Sequence, residues 1–241
     1  MEWRERDGVR WLEADLGGAR AAFSTRIGGV SQPPFDELNL GILTDDEPEA
    51  VTENRRRLAA ALGFETEQVA FARQVHGTRL IDHPCDEALP EADGHVVREP
   101  GPAPMVLAAD CLPVALHGPG GLAMVHAGWC GLTGGILGAA AEAVEADAAA
   151  IGPGIGPCCY EVGEEVLDAF SDLGDGIAEG RMLDLPEVAR RRLGEAGVER
   201  VESAGLCTSC ERDLFFSHRR DHGRTGRQAG IAWLEEQRWR S

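Results

Sequence analysis

The strongest constraint on the fold is a pair of unbroken apolar runs at the centre of the chain, each leading to a residue type that binds metals. Met105-Val106-Leu107-Ala108-Ala109 leads into Asp110-Cys111, and residues 121–125 lead into His126. A run that is apolar at every position, not at every second one, is the pattern of a strand buried on both faces. Such strands need a helix layer or a second sheet on each side. Elsewhere, residues 9–16 and 19–25 read as strands joined at Gly17-Gly18. Residues 47–62 read as a helix capped by Asp46, with Pro48 in its first turn and Gly63 closing it. Strand segments are expected at 68–75 and 78–82, broken at His76-Gly77, and again at 112–116, 148–151 and 198–204. Helices are expected over 132–145, 161–170 and 186–196, and a strand or short helix over 228–234. No repeat and no linker composition interrupts this series, so one α/β domain spanning 1–241 is expected, with its site where strands end.

Composition narrows the chemistry. The 23 basic residues are all arginine, so a Schiff-base lysine and the phosphate-binding lysines of P-loop enzymes and kinases are excluded. The formal charge of −18 repels phosphate backbones, which argues against nucleic acid and anionic membrane and leaves a small molecule as the expected partner. The charge is compatible with a monomer or a homodimer. The charged start, Met1 to Asp7, lacks the apolar run of a signal peptide, and no stretch is apolar enough for a bilayer, so a cytoplasmic location is expected. Seven cysteines in such a chain read as reduced thiols rather than a disulfide framework.

Three residues stand out at strand ends: His76, Cys111 and His126. Two imidazoles and a thiolate are good zinc ligands, and three protein ligands leave the open position a catalytic ion needs. Asp110 is a candidate hydrogen-bond partner for one of these histidines. The metal-free alternative is Cys111 as a nucleophile activated by His76 or His126. Cys207-Thr208-Ser209-Cys210 is a lone Cys-x-x-Cys, and Cys158-Cys159 complete a four-ligand set only if the fold brings them close; buried thiols are the expectation. His83, His95 and His117 read as structural or exposed, and His218 and His222 as surface residues. Arg55-Arg56-Arg57 and Arg190-Arg191-Arg192 read as solvated or ion-paired helix faces. Arg26, before Gly28-Gly29, and the segment from Arg219 to Arg227 are candidate anion clamps, because guanidinium binds phosphate bidentately.

The chain resembles the YfiH-like, or laccase-domain, family over nearly its whole length. The resemblance is carried by Phe23-Ser24-Thr25-Arg26-Ile27-Gly28-Gly29, Leu38-Asn39-Leu40-Gly41, Asn54-Arg55, Gln74-Val75-His76-Gly77, Ala92-Asp93-Gly94, Ala109-Asp110-Cys111 and Val125-His126-Ala127-Gly128-Trp129. Later segments agree: Gly156-Pro157-Cys158-Cys159-Tyr160, Cys207-Thr208, Phe215-Phe216-Ser217 and Thr225-Gly226-Arg227-Gln228. The resemblance implies a layered α/β/β/α fold with mixed sheets and a zinc site of His76, Cys111 and His126. It implies substrate or phosphate roles for Arg26, Asn54 and Arg227. Its implied activity is phosphorolysis of adenosine, inosine, guanosine and methylthioadenosine, with deamination of adenosine. The alternatives are hydrolytic editing of cell-wall precursors, copper-dependent polyphenol oxidation, and a metal-stabilised binding module without turnover. Copper oxidation is disfavoured by a chain with seven histidines and no His-x-His pair. One departure is Cys130, where the family usually has Arg after His-Ala-Gly-Trp; it removes a cation and offers a second thiol near the metal.

Overall fold

Two six-stranded sheets stack face to face because their central strands carry apolar side chains on both faces. The computed structural model describes residues 1–87 and 89–235. In chain order they form β1 (Glu2–Arg6), β2 (Val9–Asp15), β3 (Ala19–Ser24), α1 (Pro48–Leu62), β4 (Val69–Ala70), β5 (Leu80–His83), β6 (Gly94–Val97) and β7 (Ala103–Ala108). There follow β8 (Leu112–Gly118), β9 (Gly121–Ala127), α2 (Trp129–Thr133), α3 (Ile136–Val144), β10 (Ala148–Ile151) and α4 (Glu164–Asp168). The remainder is β11 (Ala178–Glu179), β12 (Met182–Leu183), α5 (Leu185–Glu195), β13 (Arg200–Ser203) and β14 (Gln228–Leu234). One sheet has the order β1-β2-β3-β14-β7-β4, the other β13-β10-β8-β9-β6-β5, and β11 and β12 form a small ribbon. Both large sheets are mixed: β4–β7, β5–β6 and β10–β13 pair in parallel, and their other strand pairs are antiparallel.

The layers follow from the period of two along each strand. On β9, Leu122 and Met124 enter the layer between the sheets, where Phe23, Val106 and Ala232 of the first sheet meet them. Ala123 and Val125 point the other way, into the layer beneath Ile136, Leu137 and Val144 of α3 and Val188 and Leu193 of α5. The outer face of the first sheet, with Trp11, Met105 and Ile231, is covered by Leu58 and Ala61 of α1. The result is an α/β/β/α stack, and each fully buried Leu or Phe in it contributes about 1.5–3 kcal/mol. No helix among the described residues is long and apolar enough to cross a membrane.

Several expectations need correction. The strands anticipated at 68–75 and 78–82 shrink to Val69–Ala70 and Leu80–His83, with irregular backbone between them. His76 there adopts φ 58°, which no strand accommodates. The helix anticipated over 132–145 is divided by Gly134-Gly135, where Gly135 takes φ 85°. That over 161–170 reduces to the five residues of α4. Asp46 does not cap α1; Glu47 occupies that position. The Asp46 carboxylate instead accepts from Ser31 Oγ at 2.6 Å and Asn39 Nδ2 at 2.9 Å, pinning the Gly-rich loop. The 228–234 segment is a strand, inserted between β3 and β7, since a short apolar run does not by itself distinguish strand from helix.

The sheets approach closely at Gly230. A Cβ built there meets the Met124 methyl and lies 2.6 Å from Pro113 Cβ. Gly230→Ala is therefore expected to destabilise the protein by about 1–3 kcal/mol through overpacking, read as a lower Tm in thermal unfolding. An unchanged Tm would show that the sheets can separate there without loss.

Candidate metal and substrate site

Cys111 directly precedes β8, and His126 lies on β9 opposite Pro113, so the antiparallel pairing of these strands sets the two side by side. His76 arrives from the irregular segment between β4 and β5. The ligand atoms of the three residues lie within 4.8 Å of one another. The two imidazoles meet edge to face, centroids 4.9 Å apart. Space for the cluster is kept by Gly128: a Cβ there would stand 3.0 Å from Cys111 Sγ and 3.4 Å from His76 Cδ2.

Asp93, immediately before β6, organises these groups. Its fully buried carboxylate accepts from the backbone N–H of Val75 (3.1 Å), His76 (3.0 Å) and Gly77 (2.7 Å), and from His126 Nδ1 (2.9 Å). Three of these bonds hold His76 in its left-handed conformation. The fourth commits His126 Nδ1 as donor and leaves Nε2 as the ligand atom. Burial alone would raise the Asp93 carboxyl, but the His126 ring and the Gly77 and Val75 amides outweigh it and hold it below its ordinary range. Burial would likewise raise the Cys111 thiol, yet His126 and His76 draw it down to about 6. Burial would lower His126, whereas the Cys111 thiolate and Asp93 lift it to about 9. The pair thus favours a thiolate facing a cation, and a bound metal ion meets the same demand with both imidazoles neutral. A His-Cys-His donor set with one side open fits a metal that keeps a free coordination position.

The cluster opens into a cavity of about 360 Å³. Arg55, Arg73 and Arg227 line it, with His218 beside them. The Arg55 guanidinium lies 4.6 Å over the Phe71 ring and donates from Nε to Leu40 O at 2.9 Å; burial pushes it down to about 10, still charged at neutral pH. Arg227 donates to the carbonyls of Thr225 and Gly226, both at 2.9 Å, and is lowered by burial too. Apolar Ile42, Leu43, Phe71 and Leu107 complete the lining.

The other candidates lie elsewhere. Arg26 does not line this cavity. Its side chain donates to Asp36 O (2.6 Å) and Arg212 O (3.1 Å), pairs with Asp36 and stacks on Phe216, so it fastens the Gly-rich loop. Asn54 is fully buried and spent on Val30 N, Ser31 Oγ, Glu37 O and Asn39 O. Of the three, Arg227 alone reaches the cavity. In the 219–227 segment, Arg219 donates to Glu161 O at 2.7 Å, and Arg220 pairs with Asp221 at 2.8 Å while donating to Thr208 O; both are tethers. Asp110 is not a histidine partner. It accepts from Thr208 Oγ1 and Arg219 N, both at 2.7 Å, which holds its own φ of 91° and the Cys111 peptide in place.

Arg55 departs from the solvated reading given to its run, whereas Arg56 and Arg57 do pair with Glu53. His218 is exposed, as expected of a surface residue, and also lines the cavity. Asp93 is a site residue that the sequence alone does not mark, because an Asp before a strand carries no local sign of its partners. His83 and His95 form a separate pair at 2.9 Å, with burial holding His95 down at about 3. Cys130 is exposed on α2 and stands outside the three-donor cluster. Cys158, Cys159, Cys207 and Cys210 are not the buried thiols expected: two are exposed and two half-buried, and the fold gathers all four.

Comparisons with known proteins place the family and the fold. Residues 20–235 match the family described as multi-copper polyphenol oxidoreductase laccase. A purine nucleoside phosphorylase of Pseudomonas aeruginosa is 41% identical over 244 residues, covering 94% of this chain and 99% of that one. The purine nucleoside phosphorylase YfiH of Escherichia coli is 41% identical over 234 residues, covering 90% and 94%. Among solved structures, YlmD from Geobacillus stearothermophilus superposes with a TM-score of 0.86 at 34% identity, covering 97% of this chain and 98% of that one. A Bacillus licheniformis YfiH gives 0.87 at 33%, covering 97% and 99%.

Asp93→Asn places an NH₂ group among donors. It is expected to weaken metal binding by about 10–100-fold, measured by competition with a chromophoric chelator. An affinity equal to wild type would remove Asp93 as the residue that orients His126.

Proposed function

The chain belongs to the multi-copper polyphenol oxidoreductase laccase family, and on that premise we propose that it is a zinc-dependent purine nucleoside phosphorylase that also deaminates adenosine. The observation that carries this reading is the cavity itself. It joins the His76-Cys111-His126 cluster to arginines, Arg55 and Arg227 among them, and to apolar side chains, the three kinds of contact a metal-assisted reaction of a purine nucleoside with phosphate requires. Relatives that match along nearly their full length are named purine nucleoside phosphorylases.

Two thiol- and imidazole-rich clusters are the metal-capable groups among the described residues, one His-Cys-His and one of four cysteines. Neither is the histidine-rich centre of multicopper oxidation, which supports zinc at His76, Cys111 and His126. Zinc held there would supply a Lewis acid and lower the pKa of a bound water toward about 7.

The protein's own residues supply the rest. Arg55 and Arg227 hold phosphate, as charged donors positioned before substrate arrives. Phe71, Leu107 and Ile42 receive the purine and exclude water from one face. In phosphorolysis a phosphate oxygen forms a bond to ribose C1′, the C1′–N9 bond breaks, and the purine leaves protonated with ribose 1-phosphate as co-product. The ribosyl transition state is cationic, so an anion fixed by two arginines next to C1′ stabilises it. Adenosine, inosine, guanosine and methylthioadenosine share the purine and ribose that these walls contact. Deamination of adenosine would use the same cluster without phosphate.

Turnover of adenosine with and without phosphate, followed by chromatography beside metal analysis, tests the reading. Adenine and ribose 1-phosphate are expected with phosphate, and inosine without it. Cys111→Ala is expected to lose the zinc held by His76, Cys111 and His126 and at least about 100-fold in both activities. Arg227→Ala is expected to raise the KM for phosphate by about 10–100-fold, the loss of a charge-assisted hydrogen bond. Zinc-loaded protein that releases no purine product from any of the four nucleosides would discard the purine assignment.

A further inference from the structure

The second cluster of ligating side chains lies outside the cavity and plays no part in the reaction above. Strands β10 and β13 pair in parallel, with Ile151 opposite Ser203, so the loops that leave their C-terminal ends start side by side. One loop carries Cys158 and Cys159, the other Cys207 and Cys210. A bridge between Gly154 and Cys207, with Thr208 N donating to Gly154 O at 2.9 Å, zips them together. All four Sγ atoms fall within 4.8 Å of one another. Cys210 Sγ stands 3.4 Å from Cys158 Sγ and 3.5 Å from Cys159 Sγ. These separations approach the edge of about 3.8 Å in a tetrahedron with metal–sulfur bonds near 2.3 Å.

The local backbone is arranged for a thiolate. Residues 207–211 form a tight turn in which Cys210 N and Glu211 N both donate to Cys207 O, at 3.1 and 2.9 Å. Gly156 N donates to Cys207 Sγ at 3.2 Å, and the Ser209 and Cys210 amides also face that sulfur. Gly156 eases this approach: a Cβ there would stand 3.2 Å from Cys207 Cβ, a tight contact. Four thiolates at such distances repel one another strongly, and a soft tetrahedral cation is what cancels that repulsion.

We propose that Cys158, Cys159, Cys207 and Cys210 form a second, structural metal site that binds one zinc ion as a tetrathiolate. The ion clips the loop after β10 to the loop after β13. It thereby holds Thr208, which donates to Asp110, whose neighbour Cys111 belongs to the first site. It is closed, with four protein ligands, and so stabilises without reacting.

The test is the zinc content of the purified, reduced full chain after exhaustive dialysis, in wild type, Cys111→Ala and Cys207→Ser/Cys210→Ser. We expect two zinc ions per chain in wild type and one in each variant, with a lower Tm in the double variant. Cys111→Ala keeps the measurement decisive if the double variant does not fold. Its remaining zinc should be released in step with mercurial titration of the thiols. Its cobalt-substituted form should show the intense sulfur-to-metal charge transfer of a tetrathiolate. Cys111→Ala without zinc, or with these four cysteines paired as disulfides by mass after alkylation, would overturn the proposal.

Discussion

Asp93 accepts four hydrogen bonds within one buried carboxylate, three from the backbone at Val75, His76 and Gly77 and one from the His126 ring. A buried charge of this kind is tolerable only when its lone pairs are filled by donors of fixed geometry. That requirement works in both directions. It forces the 75–77 segment out of an extended path, and it locks the tautomer of His126. His76 and His126 belong to distant parts of the chain, and Asp93 is the common anchor that brings both to Cys111.

Around that anchor, the rest of the fold supplies rigidity. Cys111, directly before β8, and His126, on β9, are held by neighbouring strands of a sheet covered on both faces, where packing leaves little freedom. Asp110 keeps a strained φ of 91° because Thr208 and Arg219 hold its carboxylate. The site therefore rests on two carboxylates with different tasks: one orients a histidine, the other holds the turn that presents the cysteine. The cavity beside them is cationic within a chain of formal charge −18. Such a contrast favours a small anion that enters the cleft over a large polyanion that must lie along the surface.

Much of the architecture was legible in the sequence. The unbroken apolar runs of β7 and β9 announced strands buried on both faces, and Gly17-Gly18 and Gly63 marked real chain reversals. His76, Cys111 and His126 were identifiable because ligand residue types next to apolar runs are uncommon and chemically specific. The segments that misled were those where tertiary bonds override local preference. The stretches on either side of the His76-Gly77 break read as longer strands than the fold keeps, where the Asp93 carboxylate claims the amides of 75–77, and Asp46 reads as a cap until Ser31 and Asn39 claim its oxygens.

Sequence by itself determined the alternation of strands and helices, the lack of lysine chemistry and the three-donor set, since each depends on residue type and short-range period. Tertiary structure decided which polar groups serve the site. Arg26 and Asn54 were drawn into loop fastening, whereas Arg55, Arg227 and His218 were turned toward the cavity. It also gathered two cysteine pairs, far apart in the chain, at the ends of parallel strands. The physical reason is the same in each case. A hydrogen bond or a ligand cluster is a relation between residues distant in sequence, and local composition carries no record of which partners the packed sheets will bring within reach.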